Sequence, residues 1–378
     1  GGGQLDVLLG YAADGPVEML VTPEKPFAGA VVRPLSKGVS PRREGGSLSF
    51  TLPGPGGYTL ELDGFHHVLH IFVDPPERYD VDRDHPDTLY FGPGVHEAGI
   101  LTLRSGQTVY IDAGAVVYGC IHARDARNIR ILGRGILDNS HNKEEILFSV
   151  DLGSGDTDVG NSRREHTIHL INVQGAVIDG LIIRDSLVYN VAAFGCEDIR
   201  VENIKTIGDW RYNSDGIDFH NCSRCVVRGC FVRTFDDGIC VKGHDGYPQV
   251  CEDILVEGCV LWCDWGRALE IGAETRAERM HSILFRDCDI IRTTHVAMDV
   301  QNVDYGEVYN VCFEDIRVEV DPVCQTPQIQ HTDEDVFVVD PHSPYLPQLM
   351  VSIIYAHHEY SVGGRGRGRN HDITFRNI

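Results

Sequence analysis

Long hydrophobic runs are missing from this 378-residue sequence. No stretch approaches the roughly 18 consecutive apolar residues that a membrane-spanning helix needs, so we predict no membrane partner. Basic residues are also scarce, because 33 Lys and Arg stand against 56 Asp and Glu and give a formal net charge of −23. Nucleic-acid binding depends on clustered Lys and Arg, so this balance argues against a nucleic-acid partner.

Cysteine pairs with metal-binding spacing do not recur. Cys222 and Cys225 form one such pair, and the common zinc sites need a second, so we predict no metal ion and no cofactor. Most of the 12 cysteines lie in apolar runs, where a free thiol behaves as a small hydrophobic side chain. This usage favours a reducing, cytoplasmic location. The sequence begins with Gly1 rather than Met, which leaves a removed signal peptide open.

A repeated unit is the most informative feature that the sequence does have. Alternating apolar residues, closed by Gly, Asn or Asp, recur about every 22 to 30 residues with no amphipathic helix between the copies. Copies lie at residues 199–204, 225–230, 254–259, 283–288 and 311–316. The leucine-rich frame is missing and a propeller blade needs about 40 residues, so the repeat predicts a parallel β-helix with turns stacked about 4.8 Å apart.

A second strand in each turn sets the register. Strands that start at Gly216, Gly238, Ala268 and Ala297 align on successive turns. Alternate residues then share a face toward the core, namely Ile217, Phe219, Ile239, Val241, Leu269, Ile271, Met298 and Val300. The opposite face carries a polar stripe made of Asp218, His220, Cys240, Lys242, Glu270, Asp299 and Gln301.

The start of the chain follows a different pattern. Pro and Gly cluster at residues 53–57, and alternating stretches at residues 58–62 and 68–73 predict a small antiparallel β-sandwich. We therefore predict an all-β chain, with a β-sandwich domain at residues 1–80 and a right-handed parallel β-helix at residues 81–378. The sandwich either caps the solenoid or binds sugar, and both alternatives stay open. A homo-oligomer is a further open alternative, because a partner subunit could cover the strand unit that ends at Ile378.

Three aspartates precede two strands on neighbouring turns. Asp215 and Asp237 each stand directly before the Gly that opens a strand, and Asp236 comes one residue earlier. An Asp-Gly pair is an ordinary turn former, but two such turns on adjacent coils favour a site, because stacked like charges are costly. A carboxyl with a raised pKa beside an ionised base is the arrangement that glycoside hydrolysis needs. The sequence therefore predicts an enzyme with a carbohydrate substrate.

The same residues resemble the motifs of a known family. Asn213-Ser214-Asp215 and Asp236-Asp237 are similar to the Asn-Thr-Asp and Asp-Asp motifs of glycoside hydrolase family 28, the polygalacturonases. The resemblance covers roughly residues 90–320. It implies an inverting hydrolase on a right-handed β-helix, with Asp236 as the general acid. It also implies that Asp215 and Asp237 position and deprotonate the attacking water.

The sequence departs from that family at two motifs. The family's Gly-His-Gly is Gly266-Arg267-Ala268 here, and its Arg-Ile-Lys, which holds the galacturonate carboxylate, aligns with Asp299-Val300-Gln301. A sugar carboxylate would be repelled by this acidic stripe, so we predict a neutral, α-linked oligo- or polysaccharide. The sandwich resembles that of glycoside hydrolase family 49, the dextranases and isopullulanases. Polygalacturonase-type pectin hydrolysis, a calcium-dependent lyase, a sugar epimerase and a non-catalytic carbohydrate-binding β-helix stay open as alternatives.

Further residues complete the predicted site. Sugars stack on aromatic rings, which makes Trp265 a candidate, whereas Trp262 fits a corner of the coil equally well. His244, in the loop after Lys242, fits a solvated loop better than a wall of the site. Arg267 either pairs with Asp237 and lowers its pKa or forms a structural salt bridge. The predicted substrate-binding residues are Asn213, Asp218, His220, Lys242, Trp265, Arg267, Glu270, Asp299 and Gln301.

Overall fold

The computed structural model describes residues 7–65, 68–141, 166–211, 213–320, 328–329, 338–339, 349–355, 361 and 365–378. Regular structure in these residues is almost entirely β-strand, and a short 3-10 helix spans Leu35–Lys37. Within the described ranges, no helix has the length and apolar character required to cross a membrane. The predicted all-β class is confirmed.

Two small sheets form the amino-terminal module. Its strands are β1 (Val7–Ala12), β2 (Val17–Val21), β3 (Ala30–Arg33), β4 (Arg42–Glu44), β5 (Ser47–Leu52), β6 (Gly56–Leu62) and β7 (Val68–Asp74). One sheet has the order β1-β7-β6-β3 and the other β2-β5-β4. All these pairs are antiparallel except β1 with β7, which is parallel. Alternating apolar residues of the two sheets meet in a core that includes Phe50, Leu52, Tyr58 and Ile71.

Most of the remaining strands build the solenoid. Its first half contains β8 (Thr88–Phe91), β9 (Gly94–Leu103), β10 (Thr108–Ile111), β11 (Ala115–Arg124), β12 (Arg127–Gly133), β13 (Ile136–Asp138), β14 (Ile168–Ile171), β15 (Gln174–Asp179), β16 (Ile182–Arg184), β17 (Val191–Phe194), β18 (Glu197–Glu202) and β19 (Lys205–Ile207). Its second half contains β20 (Ile217–His220), β21 (Ser223–Arg228), β22 (Phe231–Thr234), β23 (Ile239–Gly243), β24 (Val250–Glu257), β25 (Val260–Cys263), β26 (Arg267–Thr275), β27 (Arg279–Arg286), β28 (Asp289–Thr293), β29 (Val296–Asn302), β30 (Glu307–Glu314), β31 (Arg317–Val318), β34 (Leu349–Tyr355) and β35 (Arg369–Arg376). Strands β32 (Gln328–Ile329) and β33 (Val338–Val339) are outside the solenoid sheets and pair with each other in a separate antiparallel sheet.

The strands of the solenoid stack as three parallel walls. The first wall contains β8, β10, β12, β15, β18, β21, β24, β27, β30 and β35. The second wall contains β13, β16, β19, β22, β25, β28 and β31, and the third contains β14, β17, β20, β23, β26, β29 and β34. Strand β11 pairs with β13 through its first half and with β14 through its second, so it joins the second and third walls. The predicted right-handed parallel β-helix with an amino-terminal sandwich is confirmed.

The third wall has the register that the sequence predicts. Asp218 lies opposite Cys240, Cys240 opposite Glu270, and Glu270 opposite Asp299. The residues that alternate with them all lie in the buried core of the solenoid, from Ile217 to Val300. The polar stripe therefore occupies the face of the wall that points away from this core. The eleven cysteines in the described residues are free thiols, and all except Cys312 are buried.

The amino-terminal module packs against the second wall. Val68 and Phe72 share an apolar cluster with Phe231, Trp262 and Ile291. Trp262 is fully buried in this cluster, so it fills the junction and does not stack on a sugar. In the described residues, three ion pairs join the module to the second wall. They are Asp74 with Lys205 in β19, Glu61 with Arg292 in β28, and Arg33 with Glu319 just after β31. The predicted domain boundary at residue 80 falls between β7, in the module, and β8, in the solenoid.

Candidate active site

The three aspartates lie in the turns that lead into β20 and β23. The amide of Gly216 donates to the carbonyl of Asp237 at 2.8 Å, which places Asp215 and Asp237 at equivalent positions on successive turns. The glycines after them permit this close stacking. A Cβ on Gly216 would lie 2.3 Å from the carbonyl oxygen of Gly238, and a Cβ on Gly238 would lie 2.4 Å from that of Ala268. Close packing of the turns therefore explains both Asp-Gly pairs.

Asp236 has an environment that favours its protonated form. Its Oδ2 accepts a hydrogen bond from the amide of Asn213 at 2.9 Å, and its Oδ1 accepts one from the amide of Asp237 at 3.1 Å. Burial and the negative charge of Asp237 outweigh these hydrogen bonds and raise the pKa of Asp236 to about 7. This carboxyl can therefore carry a proton near neutral pH.

Asp237 has the opposite environment. Its Oδ1 accepts a hydrogen bond from the amide of Arg267 at 2.9 Å, and its Oδ2 lies 3.5 Å from Nζ of Lys242. Burial acts against ionisation, but the positive charges of Lys242 and Arg267 prevail and lower the pKa of Asp237 below its usual value. Two neighbouring carboxyls thus differ in protonation state, one able to donate a proton and the other ionised.

Asp215 faces Asp237 from the preceding turn. Its Oδ2 accepts a hydrogen bond from Nζ of Lys242 at 2.9 Å, while Oδ1 has no hydrogen-bond partner in the part of the chain that the structure describes. Burial raises the pKa of Asp215, and the charge of Lys242 opposes that increase. Asp215 and Asp237 therefore share one cation.

Lys242 lies beneath the aspartates and not at the surface. Its Nζ is 2.9 Å from Asp215, 3.3 Å from Asp218 and 3.5 Å from Asp237, and the residue is 4% exposed. Burial opposes its charge, but Asp215 and Asp218 raise the pKa of Lys242 well above its usual value. The ammonium group of Lys242 is already surrounded by carboxyl groups, and its predicted role in binding substrate stays a prediction.

Asp218 and His220 also lie deep in the wall. Both side chains are fully buried, and Nε2 of His220 is 3.6 Å from Oδ2 of Asp218. The His220 ring stacks on Phe194 with a centroid distance of 4.1 Å and an interplanar angle of 12°. Burial lowers the pKa of His220 well below its usual value, so the ring is neutral. Neither side chain reaches the surface, and their predicted contact with substrate stays a prediction.

Arg267 gathers the remaining acids of the stripe. Its Nε lies 3.5 Å from Oδ2 of Asp299 and 3.9 Å from Oε1 of Glu270, and Nη1 lies 4.0 Å from Asp237. Gln301 donates from Nε2 to Glu270 at 3.0 Å and to Asp299 at 3.3 Å. Burial raises the pKa of both Glu270 and Asp299. Arg267 therefore pairs with Asp237, as one of the two predicted alternatives holds.

The side chains of this network differ in their access to solvent. The Arg267 side chain is 19% exposed, whereas those of Glu270 and Asp299 are 1% exposed. Gln301 is equally buried. Glu270 and Asp299 contact the Arg267 guanidinium from the buried side, and the direct binding of substrate by Glu270, Asp299 and Gln301 stays a prediction. Arg267 itself remains a candidate for contact with a sugar.

Trp265 and Asn213 are partly exposed beside the aspartates. The Trp265 ring lies parallel to that of Phe235, with centroids 6.0 Å apart and an interplanar angle of 2°. Asn213 adopts the left-handed conformation, with φ of 58°, and its amide binds Asp236. Both residues remain predicted contacts for substrate. Of the two aromatic residues just before Asn213, Trp210 stacks under the Arg211 guanidinium and Tyr212 lies outside the described residues.

Comparison with known proteins identifies the family of this chain. The model of the family described as glycosyl hydrolases family 28 matches residues 98–323. The chain belongs to family 28. The match covers the three aspartates, Lys242 and Arg267, and it confirms the resemblance that the sequence motifs predict.

Curated relatives of this family 28 chain include two dextranases, one from Arthrobacter sp. (strain CB-8) and one from Arthrobacter globiformis. Each is 20% identical over 209 residues, which is 50% of this chain and 30% of the relative. The chain therefore spans less than a third of the length of these dextranases.

Two solved structures share its fold. Dex49A from Penicillium minioluteum has a TM-score of 0.59 at 15% identity and covers 92% of this chain and 77% of its own. The hyperthermoactive exopolygalacturonase from Thermotoga maritima has a TM-score of 0.51 at 17% identity, over 61% of this chain and 67% of its own. The predicted likeness to families 28 and 49 is confirmed at the level of fold.

A bulge adds a residue to the site of this family 28 chain that the sequence reasoning missed. Val241 pairs with Ile271 and Gly243 pairs with Thr275. Three residues of β26, 272–274, therefore lie opposite the single residue Lys242 of β23. The bulge brings Glu274 close enough to Lys242 for their charges to interact. Burial opposes its ionisation, yet Lys242 and neighbouring cations lower the pKa of Glu274. A Gly at position 272, inside a strand pattern, is the signal that could have indicated the bulge.

His244 is the other residue whose position differs from expectation. It is buried, where the sequence favours a solvated loop, and its Nδ1 lies 2.9 Å from Nη2 of Arg276. Burial lowers the pKa of His244 well below its usual value. It therefore adds a neutral ring to the edge of the site beside His220, with centroids 4.9 Å apart.

One group of described residues approaches the spacing of metal ligands. Ligand atoms of Asp237, Cys240 and Glu270 all lie within 4.8 Å of one another. Lys242 and Arg267 already supply positive charge to Asp237, and burial raises the pKa of Cys240 well above its usual value, so this sulfur is a neutral thiol and a weak ligand. The absence of a metal ion stays a prediction.

Proposed function

We propose that this chain is an inverting glycoside hydrolase that cleaves an α-linked, neutral oligo- or polysaccharide. Asp236 is the general acid, and Asp237 is the general base, with Asp215 beside it to orient the water. The observation that carries the proposal is the contrast between adjacent carboxyls. Asp236 is held near neutral pKa by burial and by Asp237, while Lys242 and Arg267 keep Asp237 ionised.

The reaction uses these two protonation states in one step. Asp236 gives its proton to the glycosidic oxygen as the bond from that oxygen to the anomeric carbon breaks. Water attacks the anomeric carbon from the opposite side and loses a proton to Asp237, so the product has inverted configuration. Inverting enzymes place acid and base about 6.5–9.5 Å apart to leave room for that water, and we expect this separation in the substrate complex.

The charge of the site supports a neutral substrate. Each guanidinium or ammonium beside the aspartates already has carboxylate partners, because Arg267 lies among Asp237, Glu270 and Asp299 and Lys242 lies among Asp215, Asp218 and Asp237. A sugar carboxylate would therefore find both of these cations already paired. Sugar hydroxyls can instead donate hydrogen bonds to these acceptors. The curated relatives are named dextranases, and we propose an α-glucan of that kind as the first substrate to test.

A substrate panel tests the proposal. Purified protein is incubated with dextran, isomalto-oligosaccharides, other neutral α-linked glycans and polygalacturonate, and released reducing ends are measured. Proton NMR of the first-formed anomer then reports the stereochemistry. We expect turnover of a neutral α-glycan with inversion, and loss of that turnover in Asp236→Asn. Faster hydrolysis of polygalacturonate than of every neutral glycan would overturn the substrate, and a retained configuration would overturn the mechanism.

A further inference from the structure

Lys242 occupies the centre of a group of carboxylates that belong to two turns of the helix. Asp215 and Asp218 come from the turn of β20, and Asp237 comes from the turn of β23. All three lie within 3.5 Å of Nζ. Two of these contacts, to Asp215 and Asp237, are hydrogen bonds, and the contact with Asp218 is an ion pair.

The surroundings of Lys242 isolate this group from water. Its titratable and charged neighbours come from every adjacent turn, and they are Tyr189, Asp215, Asp218, His220, Asp236, Asp237, Cys240, His244, Glu270 and Glu274. The residues of this set have at most 8% of their surface exposed. Charges at this depth interact strongly, because water screens them poorly.

We infer that Lys242 is a positioning residue that fixes Asp215 and Asp237 relative to each other and keeps Asp237 ionised, without contact with the sugar. This inference rests on the proposed function, in which Asp237 is the base. The residue acts through the carboxylates that it holds.

The geometry explains why Lys242, and not Arg267, fixes Asp215 and Asp237 relative to each other. Arg267 approaches Asp237 through Oδ1, with its amide and its guanidinium, and no ion pair of Arg267 with Asp215 is found in the described residues. Lys242 contacts Oδ2 of Asp237 and Oδ2 of Asp215 together. Without that bridge Asp237 loses the cation that it shares with Asp215 and takes up a proton more readily. Protonation of Asp237 removes the base that deprotonates water.

The test compares Lys242→Met with a second buried lysine. Lys205 pairs with Asp74 at the junction with the amino-terminal module and is 3% exposed, so Lys205→Met removes a buried ammonium far from the aspartates. We expect Lys242→Met to lower kcat by about 10²–10³-fold with little change in KM, as for loss of a preorganised electrostatic group. We also expect the acidic limb of kcat/KM to move up by about 1–3 pH units. Lys205→Met should leave both limbs in place.

A conservative variant and a spectroscopic measurement separate this role from a structural one. Lys242→Arg should recover part of kcat and return the acidic limb toward that of wild type, because it restores the charge. In protein labelled with ¹³C at aspartate Cγ, the Asp237 resonance, assigned with Asp237→Asn, should titrate at higher pH in Lys242→Met than in wild type. A folded Lys242→Met protein with an unchanged Asp237 titration would overturn the inference. If Lys242→Met shifts the Asp237 titration but the wild-type protein hydrolyses no glycan, the proposed function is overturned and the effect of Lys242 on Asp237 stands.

Discussion

The backbone amide of Arg267 donates a hydrogen bond to Oδ1 of Asp237 at 2.9 Å, across the boundary between two turns of the solenoid. The guanidinium of the same residue lies near the same oxygen. Backbone and side chain of one residue therefore stabilise the ionised form of the proposed base. Arg267 stands where the family motif that the sequence resembles has His, so the chain has its own means of fixing this carboxylate.

Replacement of Asp236 should abolish proton donation alone. We expect Asp236→Asn to lower kcat by about 10²–10⁴-fold on a natural glycan, the usual range for a general acid. An aryl glycoside with an acidic phenol as leaving group needs little protonation, so the same variant should retain most of its activity on that substrate. Asp237→Asn serves as the matched control, because loss of the base should lower activity on both substrates. Equal losses for Asp236→Asn on both would contradict the assignment of the acid.

The pH profile should reflect the protonation of Asp236. Its pKa of about 7 means that the acid loses its proton above neutral pH, so kcat/KM should fall on the basic side with a midpoint near that value. Measurement of kcat/KM from pH 5 to pH 9 on the best neutral glycan tests this. In Asp236→Asn the residual activity should lack the basic limb, and its persistence would assign that limb to another group.

Loss of the Arg267 side chain should lower stability. Arg267→Ala leaves Asp237, Glu270 and Asp299 without their shared cation, and loss of one partner from a buried ionic group costs about 3 kcal/mol or more. Chemical denaturation measures this cost. Arg224, which pairs with Glu197 and Asp198 on the exposed surface, is the control, and Arg224→Ala should change stability by less than about 1 kcal/mol. Similar effects of the two substitutions would rule out a special role for Arg267.

Stability should decline in mild acid because of His70. Its Nε2 accepts a hydrogen bond from Arg233 at 3.0 Å, and therefore Nδ1 carries the proton and donates to Thr59 at 2.9 Å. Burial and the charge of Arg233 lower the pKa of His70 well below 6.5, while the unfolded chain takes up a proton near that pH. Below pH 6.5 the unfolded state binds the extra proton, so each such histidine lowers the free energy of unfolding by about 1.4 kcal/mol per pH unit.

His70→Gln tests this origin of the acid sensitivity, since Gln can accept from Arg233 and donate to Thr59. Denaturant titrations between pH 7 and pH 5 should give a slope shallower by one proton in the variant. His371 is the control, because Asp372 and Glu307 raise its pKa in the folded chain. His371→Gln should therefore make the loss in acid slightly steeper. An unchanged slope in His70→Gln would refute the expectation.

The register of the third wall could be predicted from the sequence, because a period of two and a repeated glycine leave few alternatives. Asp218, Cys240, Glu270 and Asp299 form one column for this reason. The burial of the side chains on the polar face could not be predicted in the same way. Alternation shows which face a residue occupies, but it does not show that Tyr189 and Phe194 stack over His220.

Glu274 illustrates a second limit of sequence reasoning. In a regular strand, residue 273 and not residue 275 would lie opposite Gly243. Only the observed pairing of Gly243 with Thr275 shows that β26 bulges before Thr275. A bulge depends on how a strand pairs with its neighbour, and the sequence of one strand does not determine that pairing. Trp262 is similar, since its burial depends on Phe72 of the distant amino-terminal module.

The ion pairs of that module have a mechanical consequence. Stacked coils contact only their neighbours, so a solenoid tends to unravel one rung at a time from an end. Asp74 pairs with Lys205, Glu61 with Arg292 and Arg33 with Glu319, so the module links five consecutive turns of the solenoid. Unfolding of the last of these turns therefore also disturbs the first. The segment that contains the aspartates should accordingly unfold cooperatively, while the turns outside the linked segment unfold independently.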